Sequence, residues 1–131
     1  MTTERNNFLE RLMVIFKREA EEHLKTMTEL LQLLEHNENE QACADIVDSL
    51  FRETHSLKGA ARSVNIPAIE SVCQSMEYAL VKLKQKEIDF SSDFFTVFYQ
   101  AIDHLTYEVA NLAGEGNASN LIQLQLMLQA L

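Results

Sequence analysis

The chain has 131 residues, 47% of them hydrophobic and 24% charged, which suits one soluble globular domain with a real core. Three glycines and one proline are too few to punctuate a sandwich or barrel of short strands. A net charge of −9 argues against nucleic acid or an anionic membrane as the main partner.

The polar start, Met1-Thr-Thr-Glu4, is no signal peptide. Residues 4–36 carry Leu9, Leu12, Phe16, Ala20, Leu24, Met27, Leu31 and Leu34, and these steps of three and four predict one long amphipathic helix. Cys43, Ile46, Val47, Leu50, Leu57, Ala61 and Val64 repeat the pattern over 40–64. Asn65 before Ile66-Pro67 reads as a cap, and Pro fits a first turn, so a third helix is expected over about 66–86. Its apolar face is Ile69, Val72, Cys73, Met76, Leu80 and Leu83. Ser91-Ser92-Asp93 is a start signal for a fourth helix over 92–113, which Gly114-Glu-Gly116 would stop. A short fifth helix over 118–131 opens at Asn117 or Ser119. Its apolar stretch, Leu121 to Leu131, is interrupted by three glutamines and is too short to span a bilayer. The predicted fold is all-α, an antiparallel four-helix bundle with an additional short fifth helix at the C-terminus. Cys43 and Cys73 fall on apolar faces, as buried reduced thiols of a cytoplasmic protein would. The chain stops inside an apolar helix, which points to a single domain, 1–131, excised from something longer.

The second helix carries a face that is not core. With Ile46, Leu50, Leu57 and Val64 at the centre of its apolar stripe, His55 lies roughly opposite, toward solvent. Arg52, Lys58, Gly59, Arg62 and Asp48 are expected on the same outer face. Gly59 costs about 1 kcal/mol against Ala in a helix interior. It sits one turn beyond His55 and removes bulk there. Residues 52–62 hold three cations against one acid, Glu53, within an acidic chain. An exposed imidazole bared by a glycine and flanked by cations suits an anion and the close approach of a partner. His23, His36 and His104 have no comparable surroundings in the sequence, and Ser56 does not face with His55.

Phe51-Arg-Glu-Thr-His55-Ser-Leu-Lys58-Gly59-Ala-Ala-Arg-Ser-Val64 resembles the signature of histidine-containing phosphotransfer (HPt) domains, most closely the N-terminal phosphotransfer domains of CheA-type chemotaxis histidine kinases. The resemblance implies that His55 accepts a phosphoryl group from ATP through a separate histidine kinase catalytic domain. It then passes the group to an aspartate on a response-regulator receiver domain. Met76-Glu77 matches a family pair whose Glu hydrogen-bonds the imidazole. Ala60 and Asn65 stand where many members have glycine; Ala60 is a better helix former and Asn65 can cap or adopt the left-handed conformation, so neither change threatens the chemistry.

The chemistry is consistent with these residues. A neutral imidazole nitrogen is a good nucleophile near pH 7. A carboxylate accepting from Nδ1–H leaves the Nε2 lone pair free, and Glu77 is the candidate. Lys58, on the adjacent turn, can contact phosphoryl oxygens. Arg62, two turns away, and Arg52 are candidates for docking on a partner's acidic pocket, with Gly59 giving access. The domain has no GxxxxGK[ST] and no glycine-rich loop, since its only glycines are Gly59, Gly114 and Gly116. No cofactor is expected in it, and ATP and Mg belong to the partner kinase domain. A di-iron bundle would need Glu-x-x-His, and Ala20, Leu33, Arg52 and Ala101 precede the four histidines instead. No His or Cys pair has zinc spacing, so no metal is expected. Two alternatives remain: an HPt module of a hybrid-kinase relay, and a helical docking module that is never phosphorylated.

Overall fold

A computed structural model describes the backbone of residues 2–112 and 118–131, and side chains over 3–112 and 122–131. Five helices follow in chain order: α1 (Thr2–Glu35), α2 (Glu40–Ser63), α3 (Pro67–Lys84), α4 (Ser92–Ala110) and α5 (Ala118–Gln129). No strand occurs among the described residues. α2 packs on α1 and α3, α1 also packs on α4, and α3 packs on α4, which closes a four-helix ring. α5 lies on the α3–α4 side.

Cross-helix pairs fix the directions. His23 meets Glu53 across α1 and α2, and Lys58 meets Glu77 while Lys84 meets Asp48 across α2 and α3. Tyr99, early in α4, bonds Glu35 at the end of α1 at 3.1 Å. Along α2 and α3 the partner rises from Glu77 to Lys84 as the α2 residue falls from Lys58 to Asp48. Leu12 and Phe16 lie by Ala60 and Val64 while His23 meets Glu53, and Tyr99 lies before the middle of α4. The pairs α1–α2, α2–α3 and α1–α4 are therefore antiparallel. Gln125 bonds Ser71, and Leu128 lies with Ala79 and Lys82, so α5 runs in the direction of α3.

The turns show why the helices end where they do. Asn39 caps α2, its side chain accepting from the Ala42 N–H at 2.9 Å. Ser91 does the same for α4 through the Phe94 N–H. Asn65 does not cap α3; of the two roles the sequence allows it, it takes the left-handed one. It ends α2 in the left-handed region, with φ 61°, while the Ile66 N–H reaches back to the Ala61 carbonyl. Ile66 precedes α3 with no side-chain cap, and Pro67 fills the first position. Asparagine tolerates positive φ better than most residues, so the same side chain serves the end of one helix rather than the start of the next. α4 ends three residues before the expected 113, because the Asn111 N–H turns back to Tyr107 and Glu108 carbonyls. Gly114, Gly116 and Asn117 lie outside the described residues.

The core runs through all five helices, from Phe16 and Leu31 on α1 to Phe94 and Phe98 on α4 and Leu124 and Leu128 on α5. The α1 stripe starts later than its spacing suggests. Leu9 is exposed and Leu12 half-buried, because α2 ends beside Leu12 and Phe16 and the earlier turns pass beyond it. Ile46 and Val64 are half-buried, whereas Leu50 and Leu57 are fully buried.

Both cysteines are free and buried, as their faces suggest. Burial, with the negative charge of Glu77 adding to it, pushes the Cys73 thiol from its ordinary 9.0 up to about 12. The unfolded chain therefore releases this proton first on going alkaline. The stabilising effect is complete below pH 9 and is lost between there and about 12. Cys73→Ala should flatten the fall in urea-unfolding stability with pH over that window. An unchanged slope would mean that the thiol ionises as freely folded as unfolded.

Candidate functional site

His55 projects from the exposed flank of α2, its side chain 63% exposed. Its Nδ1 lies 2.8 Å from Oε1 of Glu77, which reaches across from α3. The Glu77 side chain is only 7% exposed, and its second oxygen accepts from Lys58 Nζ at 2.7 Å. Lys58 also donates to Gln74 Oε1 at 3.1 Å. One connected chain of groups thus runs His55–Glu77–Lys58–Gln74 along the α2–α3 seam.

The chain sets the chemistry of the imidazole. A carboxylate paired with an ammonium only accepts, so the proton between it and His55 belongs to Nδ1. Nε2 then carries the free lone pair on the solvent-exposed ring. The lysine has three N–H groups and spends two on Glu77 and Gln74, which leaves the third without a bonded partner among the described residues.

The placement of Lys58 corrects the sequence reading, which put it on the outer face with His55. It is buried, at 8% exposure. Its Cα stands at the edge facing α3, and its four-carbon stem lies along the seam so that the charge meets Glu77. Arg62 is also not free, since its Nε donates to Glu70 at 2.7 Å. Arg52 is exposed and bonds only Ser49 Oγ, at 3.2 Å, with no acidic partner among the described residues. Asp48, on the same flank, is held by Lys84 at 2.7 Å.

Three residues of the surroundings escaped the sequence reading. Gln74 stands one turn before Glu77 on α3, a spacing that could have flagged it. The Phe51 ring, one turn before His55, lies parallel to the imidazole within 7°, with centroids 6.2 Å apart. Lys84 sits over the Phe51 ring, 5.2 Å from its centroid, and no local pattern announces that contact.

His23 also departs from expectation. Its Nδ1 meets Glu53 Oε2 at 2.6 Å, in a histidine–carboxylate pair between α1 and α2. It differs from the His55 pair in two ways: its side chain is 27% exposed, and among the described residues no lysine or arginine bonds Glu53. His104 is nearly buried, with Nε2 unpartnered among the described residues and 3.7 Å from Glu108. Among the described residues no cluster of three or more His, Cys, Asp or Glu could hold a metal ion.

Gly59 is exposed one turn beyond His55, and a Cβ built on it meets nothing within 4 Å. Packing therefore does not require the glycine. Gly59→Ala is expected to stabilise the bundle by up to about 1 kcal/mol. Gly59→Gln should melt no lower than wild type and yet slow phosphoryl transfer about tenfold, because its side chain stands in the path of approach. Thermal melts and transfer assays on both variants check this. Transfer by the Gln variant at the wild-type rate would show that no partner comes near that turn.

A family model for the Hpt domain matches residues 11–131. The chain belongs to the Hpt domain family. These are phosphotransfer modules of two-component signalling, and the bundle and site described above sit almost wholly inside the matched span. The chain is 27% identical to the chemotaxis protein CheA of Bacillus subtilis over 103 residues, 79% of this chain and 15% of that protein. It is 26% identical to the sensor histidine kinase CheAY of Helicobacter pylori over 112 residues, 86% of this chain and 14% of that protein. A chemotaxis protein CheA of Listeria monocytogenes is 24% identical over 110 residues, 82% of this chain and 17% of its own length. The Hpt domain thus spans about a sixth or less of each of these relatives. No helix among the described residues is long and apolar enough to cross a membrane.

Proposed function

We propose that this Hpt domain carries phosphoryl groups on Nε2 of His55, between a histidine kinase catalytic domain and a response-regulator receiver domain. The supporting observation is the 2.8 Å bond from Nδ1 to Glu77, a carboxylate itself held by Lys58. In the loading step the Nε2 lone pair attacks the γ-phosphorus of ATP bound, with Mg, in the kinase domain. The N–P bond forms, the P–O bond to ADP breaks, and the ring gains positive charge beside Glu77. In the unloading step an aspartate oxygen of the receiver attacks the same phosphorus. The N–P bond breaks, its electrons return to Nε2, and the imidazole is neutral again. Lys58 offers its remaining N–H to the phosphoryl oxygens, and exposed Arg52 offers a cation to the receiver's acidic pocket. In this reading the carrier serves a chemotaxis pathway of the CheA type, in the cytoplasm; the chemotaxis name and the sensor histidine kinase name of two relatives support the pathway.

The domain, mixed with a chemotaxis kinase core and radiolabelled ATP, should take up a label that is labile in acid and stable in alkali. Addition of a receiver domain should remove it. A folded domain that takes up no label from an active kinase core would leave a docking module as the reading.

A further inference from the structure

The bond to Glu77 holds the imidazole of His55 at one atom. A single hydrogen bond is a pivot: the ring can still swing about it, and more than half of this side chain is in solvent. A second contact is needed to fix the ring plane. The ring of Phe51 lies parallel to it within 7°, with centroids 6.2 Å apart, inside the range of offset-stacked aromatic pairs. Phe51 is itself anchored. It is half-buried against the core, and Lys84 Nζ sits 5.2 Å from its centroid. Lys84 is held in turn by Asp48 at 2.7 Å, one turn before Phe51 on α2.

We infer that Phe51 is a positioning residue for His55, its ring fixing the plane of the imidazole while Glu77 fixes its tautomer. The two contacts act on different coordinates. Glu77 decides which nitrogen is free, and Phe51 decides where that nitrogen points. In-line attack on phosphorus needs both, because reacting atoms must meet at roughly 3–3.5 Å with aligned orbitals. A branched aliphatic residue at position 51 would fill the same apolar space without offering a flat face. The inference rests on His55 being the phosphoacceptor, but its structural half is testable without any transfer.

In the unphosphorylated domain, NMR should show ring–ring contacts between Phe51 and His55 and a ring-current shift of the His55 ring protons. Phe51→Leu should abolish that shift while the Nδ1–H tautomer persists. It should lower the saturated rate of phosphorylation about fivefold, with less than about a twofold change in KM. Phe51→Tyr, which keeps the flat face, should recover the rate to within about twofold. A Leu variant at the wild-type saturated rate, an effect confined to KM, or a Tyr variant no faster than Leu would each overturn the inference. So would the absence of ring contacts in the wild-type spectrum, which keeps the test decisive if the Leu variant does not fold. Label arriving on a histidine other than His55 would sink the phosphoacceptor assignment while leaving the spectral result to stand or fall alone.

Discussion

His55→Gln should abolish phosphoryl acceptance and leave the bundle almost untouched. The side chain is 63% exposed and contributes nothing to the apolar core. Substitutions at such positions usually shift stability by no more than about 0.5 kcal/mol. The glutamine amide can still meet Glu77, so the buried carboxylate keeps a neighbour. Among the described residues no other histidine is backed by a carboxylate–lysine pair. His23 serves as an internal control, because it has the carboxylate without the lysine. The measurements are a thermal melt, which should superimpose on wild type, and labelling by a kinase core, which should fall to background. Stable labelling of the variant at His23 or another histidine would show that the site is elsewhere.

Glu77→Ala should do something different, damaging fold and function together. Read from the sequence, Glu77 stands at the edge of an apolar stripe, where its loss would cost little. In the folded protein it is buried and, among the described residues, is the sole acidic partner of the Lys58 ammonium, itself buried. Removing one member of a buried ion pair strands the other, at a cost of about 3 kcal/mol. The melting temperature should drop by roughly 10 °C. Phosphorylation should slow by at least about tenfold, since the tautomer of His55 is no longer selected. A double variant, Glu77→Leu with Lys58→Met, separates the two effects. Apolar replacement of both partners often restores stability, but it restores no orienting carboxylate. The double variant should therefore melt well above Glu77→Ala and transfer no better. Equal melting of Glu77→Ala and wild type would mean that Lys58 reaches water without its partner.

The bundle was legible because spacing alone decides it: apolar steps of three and four over four long segments, with polar or turn-forming breaks between them. His55 was legible because it breaks that pattern on a helix that otherwise obeys it, beside a glycine that helix propensity disfavours. Lys58 was legible by type and not by location. A helical wheel places Cα atoms, whereas a lysine stem spans several ångströms and delivers its charge elsewhere. Gln74, Lys84 and the His23–Glu53 pair were hidden for a related reason. Each gains its meaning from a residue on another helix, 16 to 36 positions away in the chain. One sequence holds no record of such meetings. Asn65 shows the remaining ambiguity, since the same residue type begins helices and ends them.

His55 stands on the outward curve of a single helix, with its support beneath it and open space at Gly59 beside it. Most reactive groups sit in a cleft shaped for one visitor. A ridge excludes no visitor by shape, and it also offers no room for two at once. For the phosphoryl carrier proposed above, donor and acceptor would then queue for the same patch, each leaving before the other arrives. Excess receiver should compete with the kinase core for the unloaded domain, so that a surplus of the acceptor slows the charging of its own supply.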